Sequence, residues 1–281
     1  MTPLLELAHV SKTFGGLLRR RRVAAVRDVS FSLSGESPEV FTLLGQSGSG
    51  KTTLARMILG LETPTAGSLR LKGQDIAGLR RGAGGRRLLG LVQPIFQNPF
   101  EAFNPLRHVD HYLLLTAQRF GGAGEGLAAQ AATETALRQV GLSLAEVARR
   151  YPHELSGGQL QRLAIARALL AKPKLIVADE PVSMVDASLR MAIVNLFKTL
   201  RGRFGISILY ITHDLATAYL VSDRIMIMRD GEVVESGPAR QVLTHPQHAY
   251  SRQLKDAVLV PRFTAAAGDG ATTKPEHGPQ H

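Results

Sequence analysis

The sequence contains no cysteine among its 281 residues. Without cysteine the chain can form no disulfide, thiolate zinc site or Cys-ligated iron–sulfur cluster, and it has no cysteine nucleophile, so metal chemistry must use oxygen ligands. It also lacks any run of about eighteen apolar residues that could span a membrane, and it does not open with a signal-peptide pattern. We therefore expect a protein that stays in the cytoplasm.

The chain has few acidic residues relative to basic ones, with 34 Lys and Arg against 23 Asp and Glu and a net charge of +11. Much of the excess lies in residues 19–22, Arg80-Arg81 and Arg86-Arg87, each close to glycines. Such clusters are typical of solvated loops, the interpretation we favour, or of a surface that faces nucleic acid or an anionic membrane. With 44% hydrophobic residues, the length predicts one composite domain with a tail.

The most informative stretch is residues 45–53, which read GQSGSGKTT. It follows an apolar, strand-like run at 40–44 and opens into residues 54–59, whose apolar positions recur at helical spacing. Glycines let the backbone turn its N–H groups inward as an anion-binding nest at a helix N-terminus. Lys51 can reach the β- and γ-phosphates of a nucleotide, and the Thr52 hydroxyl can ligate Mg²⁺. The alternative, a Gly/Ser turn that merely precedes a helix, explains the full spacing less well.

Two further apolar runs end in polar side chains. Residues 174–178 lead into Asp179 and Glu180, and residues 206–211 lead towards His213. Because parallel strands present their carboxyl ends to the ligand crevice, Asp179 can hold Mg²⁺ through water while Glu180 and His213 reach the γ-phosphate. Solvated carboxylates and a structural histidine are the alternatives.

Each of three sequence features allows two interpretations. Phe14, at the end of a first strand, could stack on a nucleotide base or could pack as an ordinary strand residue. Residues 155–159 read LSGGQ; they could form a second phosphate-binding helix terminus, or Ser156 could be an ordinary N-cap. Gln93 and Gln97 are both available to contact a phosphate or metal, and we favour Gln97 because it begins a turn.

The remaining pattern gives a coarse order of elements. Strands are predicted at 4–10, 26–33 and 68–73, an apolar strand running into a loop at 88–99, helices across 109–147 with a break at 121–124, and a helix at 160–170. Residues 241–260 predict a short helix ending at Pro261. The chain from Phe263 onward is rich in Ala, Gly, Thr and Pro and is predicted to be disordered.

Together these motifs resemble those of ATP-binding-cassette (ABC) ATPases over about residues 4–250. The resemblance implies an α/β fold: a P-loop NTPase (RecA-like) core with an antiparallel β subdomain and an α-helical insertion subdomain. It implies catalytic roles for Lys51, Gln97, Glu180 and His213, and metal ligands at Thr52, Gln97 and Asp179. The implied nucleotide-binding residues are Phe14, Gly45, Gln46, Ser47, Gly48, Ser49, Gly50, Lys51, Thr52, Thr53, Ser156, Gly157, Gly158, Gln159 and Asp186.

Several less specific short motifs are similar to those of the oligopeptide, dipeptide and nickel importer branch. They are FQNP at 96–99, YPHE at 151–154, DEPVS at 179–183 and HPQHAY at 245–250. Three departures are the unusual Met184-Val185 before Asp186, Pro94 in the strand before Gln97, and the lack of the cysteine-rich C-terminal extension that members of this branch often carry. The domain limits implied are a nucleotide-binding domain at 1–240 with a helical insertion at about 98–165, a helical extension at 241–262 and a disordered tail at 263–281.

The resemblance implies an ATP- and Mg²⁺-dependent subunit that powers import of peptides, nickel or similar small solutes. Its implied partners are transmembrane permease subunits, a second ABC ATPase subunit that is either a copy or a paralogue, and indirectly a solute-binding protein, at the cytoplasmic face of the inner membrane. No nucleic acid is expected. The alternative is a soluble ABC-type ATPase acting on nucleic acid or ribosomes, but that class usually carries a long coiled coil between its motifs or a second cassette.

Overall fold

The computed structural model describes residues 2–15, 22–80, 83–122, 124 and 126–259. The strands in these residues are β1 (Leu5–Phe14), β2 (Val23–Leu33), β3 (Val40–Leu44), β4 (Ala66–Leu71), β5 (Gln74–Asp75), β6 (Val92–Ile95), β7 (Leu175–Asp179), β8 (Ser207–Thr212), β9 (Arg224–Arg229) and β10 (Glu232–Pro238). The helices are α1 (Lys51–Ile58), α2 (Ile76–Leu79), α3 (Ala83–Leu91), α4 (Val109–Arg119), α5 (Leu127–Gln139), α6 (Leu144–Val147), α7 (Gly157–Leu170), α8 (Ala187–Phe204), α9 (Leu215–Val221), α10 (Ala239–Thr244) and α11 (Ala249–Leu259).

The described strands form two sheets. Strands β2-β1-β4-β5 make an antiparallel sheet, and β10-β9-β3-β8-β7-β6 make a second, central sheet. In the central sheet β3, β6, β7, β8 and β9 run parallel, and only the edge strand β10 is antiparallel to its neighbour. The carboxyl ends of the parallel strands therefore lie along one edge, where open α/β sheets bind their ligands.

The central strands are buried on both faces, which explains their continuous apolar runs. On β7 and β8, Ile176 and Ile208 belong to a core shared with helices α4, α5, α7 and α8, whereas Val177 and Leu209 belong to a core shared with α1 and the antiparallel sheet. The rings of Phe31 and Phe41 stack at 4.8 Å between their centroids and join the two sheets. The phosphate-loop helix and the helical layer thus lie on opposite faces of the same sheet.

The predicted fold class is confirmed: an α/β protein with a parallel central sheet, an antiparallel sheet and a helical layer between β6 and β7. One element prediction is wrong, because residues 88–91 belong to α3 and the strand starts only at Val92. In this stretch Leu88 is buried whereas Arg87 and Leu89 face outward. A short apolar run does not by itself distinguish a helix from a buried strand.

The C-terminal prediction also needs correction. Residues 239–259 form two helices, α10 and α11, rather than one, separated by a turn at His245 to His248. Pro246 in this turn cannot donate a backbone hydrogen bond and so favours the break. The predicted disordered tail and residues 19–21 of the first arginine cluster lie outside the described residues. Within the described ranges, no helix is long and apolar enough to cross a membrane.

Candidate functional site

The glycine-rich loop leaves the carboxyl end of β3 and leads into α1, as predicted. Gly50 is the residue before α1, has φ of 100°, and a Cβ atom at this position would lie 2.3 Å from the carbonyl oxygen of Ala25. A Cβ atom at Gly45 would likewise lie 2.3 Å from the carbonyl oxygen of Met228 on β9. The loop therefore needs glycine at both positions, because neighbouring backbone approaches too closely for any side chain.

Lys51 is held inside this loop with only 4% of its surface exposed. Its Nζ donates hydrogen bonds to the carbonyl oxygens of Gly45 (2.7 Å) and Gln46 (2.8 Å) and to Ser49 Oγ (3.3 Å). Burial lowers the pKa of Lys51, and the nearby carboxylates of Glu180 and Asp179 oppose that shift. A partly desolvated ammonium gains strongly from a phosphate, since the pairing restores the charge interactions that burial removes.

The loop lines one side of a cavity of about 480 Å³. Its other lining residues include Thr52, Thr53, Gln97, Glu180 and His213, which come from α1 and from the ends of β6, β7 and β8. The volume falls in the range of small-molecule sites. Residues from α1 and from the ends of β6, β7 and β8 therefore meet at the edge of the sheet where a ligand site was predicted.

Glu180 is the centre of the polar side of this cavity. Gln97 Nε2 donates to Glu180 Oε2 at 3.0 Å, and His213 Nδ1 donates to Glu180 Oε1 at 2.9 Å. Because a carboxylate only accepts hydrogen bonds, the proton of this contact lies on Nδ1 and the Nε2 atom remains available. Glu180 also has φ of 45°, an unusual conformation for a residue with a side chain. Such backbone strain clusters at functional sites.

Asp179 and Thr52 lie next to this cluster and line an adjoining cavity with Gln97. Burial raises the pKa of Asp179, and a hydrogen bond with the Thr52 side chain counteracts part of the shift. The polar atoms offered here are carboxylate, hydroxyl and amide oxygens, which are the ligands that Mg²⁺ prefers. The chemistry of this donor set fits Mg²⁺ held by Thr52, Asp179 and Gln97, and the assignment of these ligands stays a prediction.

Of the two candidate glutamines, only Gln97 reaches the site. Gln93 is buried on β6, and its Nε2 donates to the Leu89 carbonyl at the end of α3. Pro94 follows it without disturbing the sheet, because β6 is an edge strand that pairs with β7 alone. Gln93 is therefore packed in the interior of the protein, whereas the Gln97 side chain is hydrogen-bonded to Glu180.

The other predicted nucleotide-binding residues do not line this cavity. Phe14 is 40% exposed, and the Lys12 ammonium lies over its ring at 4.9 Å. Ser156 forms a capping box at the start of α7: its Oγ accepts from the Gln159 N–H, and Gln159 Oε1 accepts from the Ser156 N–H. Asp186 precedes α8, is exposed and makes no side-chain cap. Gly157 and Gly158 begin α7 with Ser156.

Two contributors to the cavity were not singled out from the sequence. Ala25 on β2 and Leu254 on α11 both line it. Neither side chain is polar, so no chemical signal marks them. Tyr250, one helical turn before Leu254, was noted in the sequence only as part of the HPQHAY motif at 245–250.

Comparisons with known proteins agree with this geometry. The model of the family described as "ABC transporter" matches residues 26–183. The glutathione import ATP-binding protein GsiA of Salmonella paratyphi A is 41% identical over 266 residues, covering 92% of this chain but 41% of GsiA. The chain thus spans less than half the length of this relative. The oligopeptide transport ATP-binding protein OppF of Streptococcus pyogenes serotype M1 is 34% identical over 258 residues, covering 92% of this chain and 82% of OppF.

A solved structure is also similar. It is the dimeric post-hydrolysis state of the ATP-binding cassette MJ0796 bound to ADP and Pi, with a TM-score of 0.75 and 28% sequence identity. The match covers 84% of this chain and 99% of that one. The similarity therefore extends across the two sheets and the helical layer rather than to the glycine-rich loop alone.

Proposed function

Since the chain belongs to the ABC transporter family, we propose that it binds and hydrolyses ATP as the nucleotide-binding subunit of an importer. The observation that carries this proposal is the Glu180 carboxylate, held by Gln97 and His213 on the cavity that Lys51 also lines. A fixed carboxylate opposite a phosphate-binding loop suits the activation of water for attack on a terminal phosphate.

In this proposal some residues bind the phosphates of ATP and others activate the attacking water. The loop N–H groups and Lys51 bind the β- and γ-phosphates, while Glu180 accepts a hydrogen bond from the attacking water and orients it. The water oxygen bonds to the γ-phosphorus, the bond to the ADP oxygen breaks, and the water proton passes to Glu180 or to the released phosphate. His213 fixes Glu180 through Nδ1 and offers Nε2 to the γ-phosphate. Bound Mg²⁺, held by Thr52, Asp179 and Gln97, would supply positive charge against the phosphate oxygens.

We further propose that the transported solute is a peptide. The names of the similar proteins support this choice, since one describes glutathione import and the other oligopeptide transport. They favour peptides over nickel among the solutes predicted from the sequence. The proposed partners are transmembrane permease subunits at the cytoplasmic face of the inner membrane and, through them, a solute-binding protein.

A second ATPase subunit, either a copy or a paralogue, is the other proposed partner. Ser156 is exposed at the N-terminus of α7, where backbone N–H groups favour an anion, yet residues 156–159 do not line the cavity of their own chain. Head-to-tail pairing would bring this terminus over the nucleotide of the partner. The similar MJ0796 cassette is dimeric in its ADP- and Pi-bound structure, and that supports such pairing.

The proposed activity is tested by Glu180→Gln. The substitution keeps the size of the side chain and one accepting oxygen but removes the charge that activates water. We expect hydrolysis to fall about 10²-fold or more, the usual scale for loss of a general base, while Mg²⁺–ATP still binds and a nucleotide-bound dimer accumulates. ATPase assays and size-exclusion chromatography with ATP measure the two effects.

The matched control is Glu36→Gln, which makes the same chemical change in an exposed loop between β2 and β3. It should leave turnover within about twofold of wild type, as is usual for surface substitutions. Near-normal turnover of Glu180→Gln would remove Glu180 from the mechanism. Failure of the wild-type chain to bind Mg²⁺–ATP at all would refute the proposed function itself.

A further inference from the structure

Helix α11 reaches the nucleotide cavity through two residues: Leu254 lines the cavity, and Tyr250 contacts Gln46 of the loop that lines it. Tyr250, in its first turn, is 4% exposed, and its hydroxyl accepts a hydrogen bond from the Gln46 N–H at 3.2 Å. Leu254, one turn later, lines the cavity together with Lys51 and Glu180. A helix 204 residues beyond the glycine-rich loop thus forms part of the wall on which a nucleotide would lie.

The Tyr250 contact acts on the same peptide group as Lys51. The N–H of Gln46 and the carbonyl of Gly45 belong to one planar peptide unit, whose N–H and C=O point in opposite directions. The carbonyl accepts from Lys51 Nζ at 2.7 Å, while the N–H donates to the Tyr250 hydroxyl. Tyr250 therefore fixes the orientation of the peptide that holds the phosphate-binding lysine.

Tyr250 is itself held from three sides. The Glu235 carboxylate accepts from the Gln247 N–H at 2.9 Å and from the His248 N–H at 3.1 Å, which fixes the turn before α11. The N–H of Tyr250 donates to His248 Nδ1 at 3.1 Å, and the Arg229 guanidinium lies 5.0 Å from the centroid of the Tyr250 ring. The phenol is thus presented to the loop in one arrangement, since both its backbone and its ring are constrained.

We propose that Tyr250 is a positioning residue of the nucleotide site and that α11, through Tyr250 and Leu254, sets the affinity for ATP. This inference rests on the proposed ATP-binding function. Without the hydroxyl, the Gly45–Gln46 peptide loses the partner that opposes Lys51 and gains rotational freedom, which must be lost again when phosphate binds. The consequence falls on nucleotide binding, because Tyr250 does not contact the water-activating group Glu180.

The test compares Tyr250→Phe with Tyr219→Phe in the full chain. Both remove one hydroxyl, but Tyr219 lies on α9 with 49% of its surface exposed, and it is the Tyr250 hydroxyl that accepts from the Gln46 N–H. We expect Tyr250→Phe to raise the Kd for Mg²⁺–ATP, measured by titration calorimetry, and the KM for ATP by about 3- to 10-fold, the equivalent of one hydrogen bond. The kcat and the thermal midpoint should stay close to those of Tyr219→Phe.

A second measurement reports on α11 directly. Amide hydrogen exchange in residues 249–259 should slow when Mg²⁺–ATP is added to the wild-type chain, because Leu254 lines the cavity in which the nucleotide is proposed to bind. Leu254→Ala, which leaves the Tyr250 hydroxyl in place, should reduce this protection and raise the Kd.

The outcomes separate this inference from the function on which it rests. If the wild-type chain binds no Mg²⁺–ATP, the proposed function fails. If it binds Mg²⁺–ATP and Tyr250→Phe has the same Kd and KM as Tyr219→Phe, the positioning role of Tyr250 is overturned. A loss confined to kcat would also overturn it, since that would place the hydroxyl in the chemical step.

Discussion

At the scale of single residues, the site keeps Asp179 in an environment that disfavours its charge. Burial raises its pKa even with a hydrogen bond from Thr52 and a lysine nearby. An acid whose pKa is higher in the folded than in the unfolded chain destabilises the fold at high pH. This penalty is absent below the unfolded-state pKa of about 3.9 and is complete above the raised folded-state value. At pH 7 the nucleotide-free protein therefore carries a cost that a cation would relieve.

Asp179→Asn should separate stability from activity. Removing the charge removes the penalty, so we expect the thermal midpoint of the nucleotide-free protein in EDTA at pH 7 to rise by roughly 1–3 °C, on a scale of about 2–4 °C per kcal/mol. Turnover should be lost because the substituted amide is a poorer Mg²⁺ ligand. Calorimetry at pH 7 and at about pH 4 checks the sign, since the gain should shrink at the lower pH. A lower midpoint at pH 7 would contradict the assignment of the penalty to Asp179.

Gln97 and Gln93 offer a matched pair of alanine substitutions. Gln97→Ala removes a hydrogen bond to Glu180 and should impair ATPase stimulation by the permease with little loss of stability. Gln93→Ala removes a buried hydrogen bond to the Leu89 carbonyl and should lower stability by about 1–2 kcal/mol with stimulation retained. ATPase assays with reconstituted permease and denaturant unfolding give both readouts. The opposite ranking would transfer the site role to Gln93.

At the scale of elements, the sequence predicts which polar side chains lie together, because these side chains stand at strand ends. Three apolar strands end next to polar side chains: β6 precedes Gln97, β7 ends at Asp179 with Glu180 after it, and β8 precedes His213. Parallel strands bring their carboxyl ends to one edge by topology alone. The hydrogen bonds of Gln97 and His213 to Glu180 follow from that arrangement. Local pattern and global fold agree here, which is why the side chains that meet at this edge could be named from the sequence.

The parts that could not be predicted depend on packing between elements distant in sequence. The stretch at 88–91 is apolar in a way that fits either a helix or a buried strand, and its contacts with the rest of the fold decide for α3. The contact of Tyr250 with Gln46 joins elements 204 residues apart, and no local spacing encodes it. The ring of Phe14 lies beside Lys12 and does not line the cavity, and base stacking by Phe14 stays a prediction.

Truncation after Arg262 tests the limit of the last functional element. The described part of α11 ends at Leu259, and every residue assigned to the nucleotide site precedes that point. We expect the truncated chain to keep the kcat, the KM for ATP and the thermal midpoint of the full chain within about twofold and 2 °C, the range of neutral surface changes. A truncated protein that folds but cannot hydrolyse ATP would mean that residues 263–281 hold a functional element.

At the scale of the whole molecule, two helix N-termini among the described residues were candidates for anion binding, and of these only α1 opens into the nucleotide cavity. The first, at α1, lines that cavity with Lys51. The second, at α7, is exposed at Ser156, and its capping box satisfies the N–H groups of Ser156 and Gln159. A head-to-tail pair would use both termini at each of two equivalent sites, which is the closed arrangement that a twofold axis produces. The proposed ATPase would then require a partner to complete its site.

Mixing two inactive variants tests this arrangement. Lys51→Ala weakens phosphate binding and Ser156→Arg fills the capping surface with a bulky cation, so each alone should abolish turnover. In a mixed pair, one site carries both lesions and the other carries neither. Equal mixing should therefore restore roughly a quarter of the wild-type rate, because half of randomly formed pairs are mixed and each keeps one of two sites.

The controls for this experiment distinguish self-pairing from pairing with a paralogue. A mixture of Lys51→Ala with Glu180→Gln should stay inactive, because both lesions affect the same half of a composite site and every site in a mixed pair then carries one of them. If the partner is a different ATPase subunit, the isolated chain should be a weak ATPase at any concentration and rescue must be sought in the assembled transporter. A chain that hydrolyses ATP fast, at a rate per subunit independent of concentration and insensitive to Ser156→Arg, would instead complete its site alone, and the shared-site proposal would be wrong.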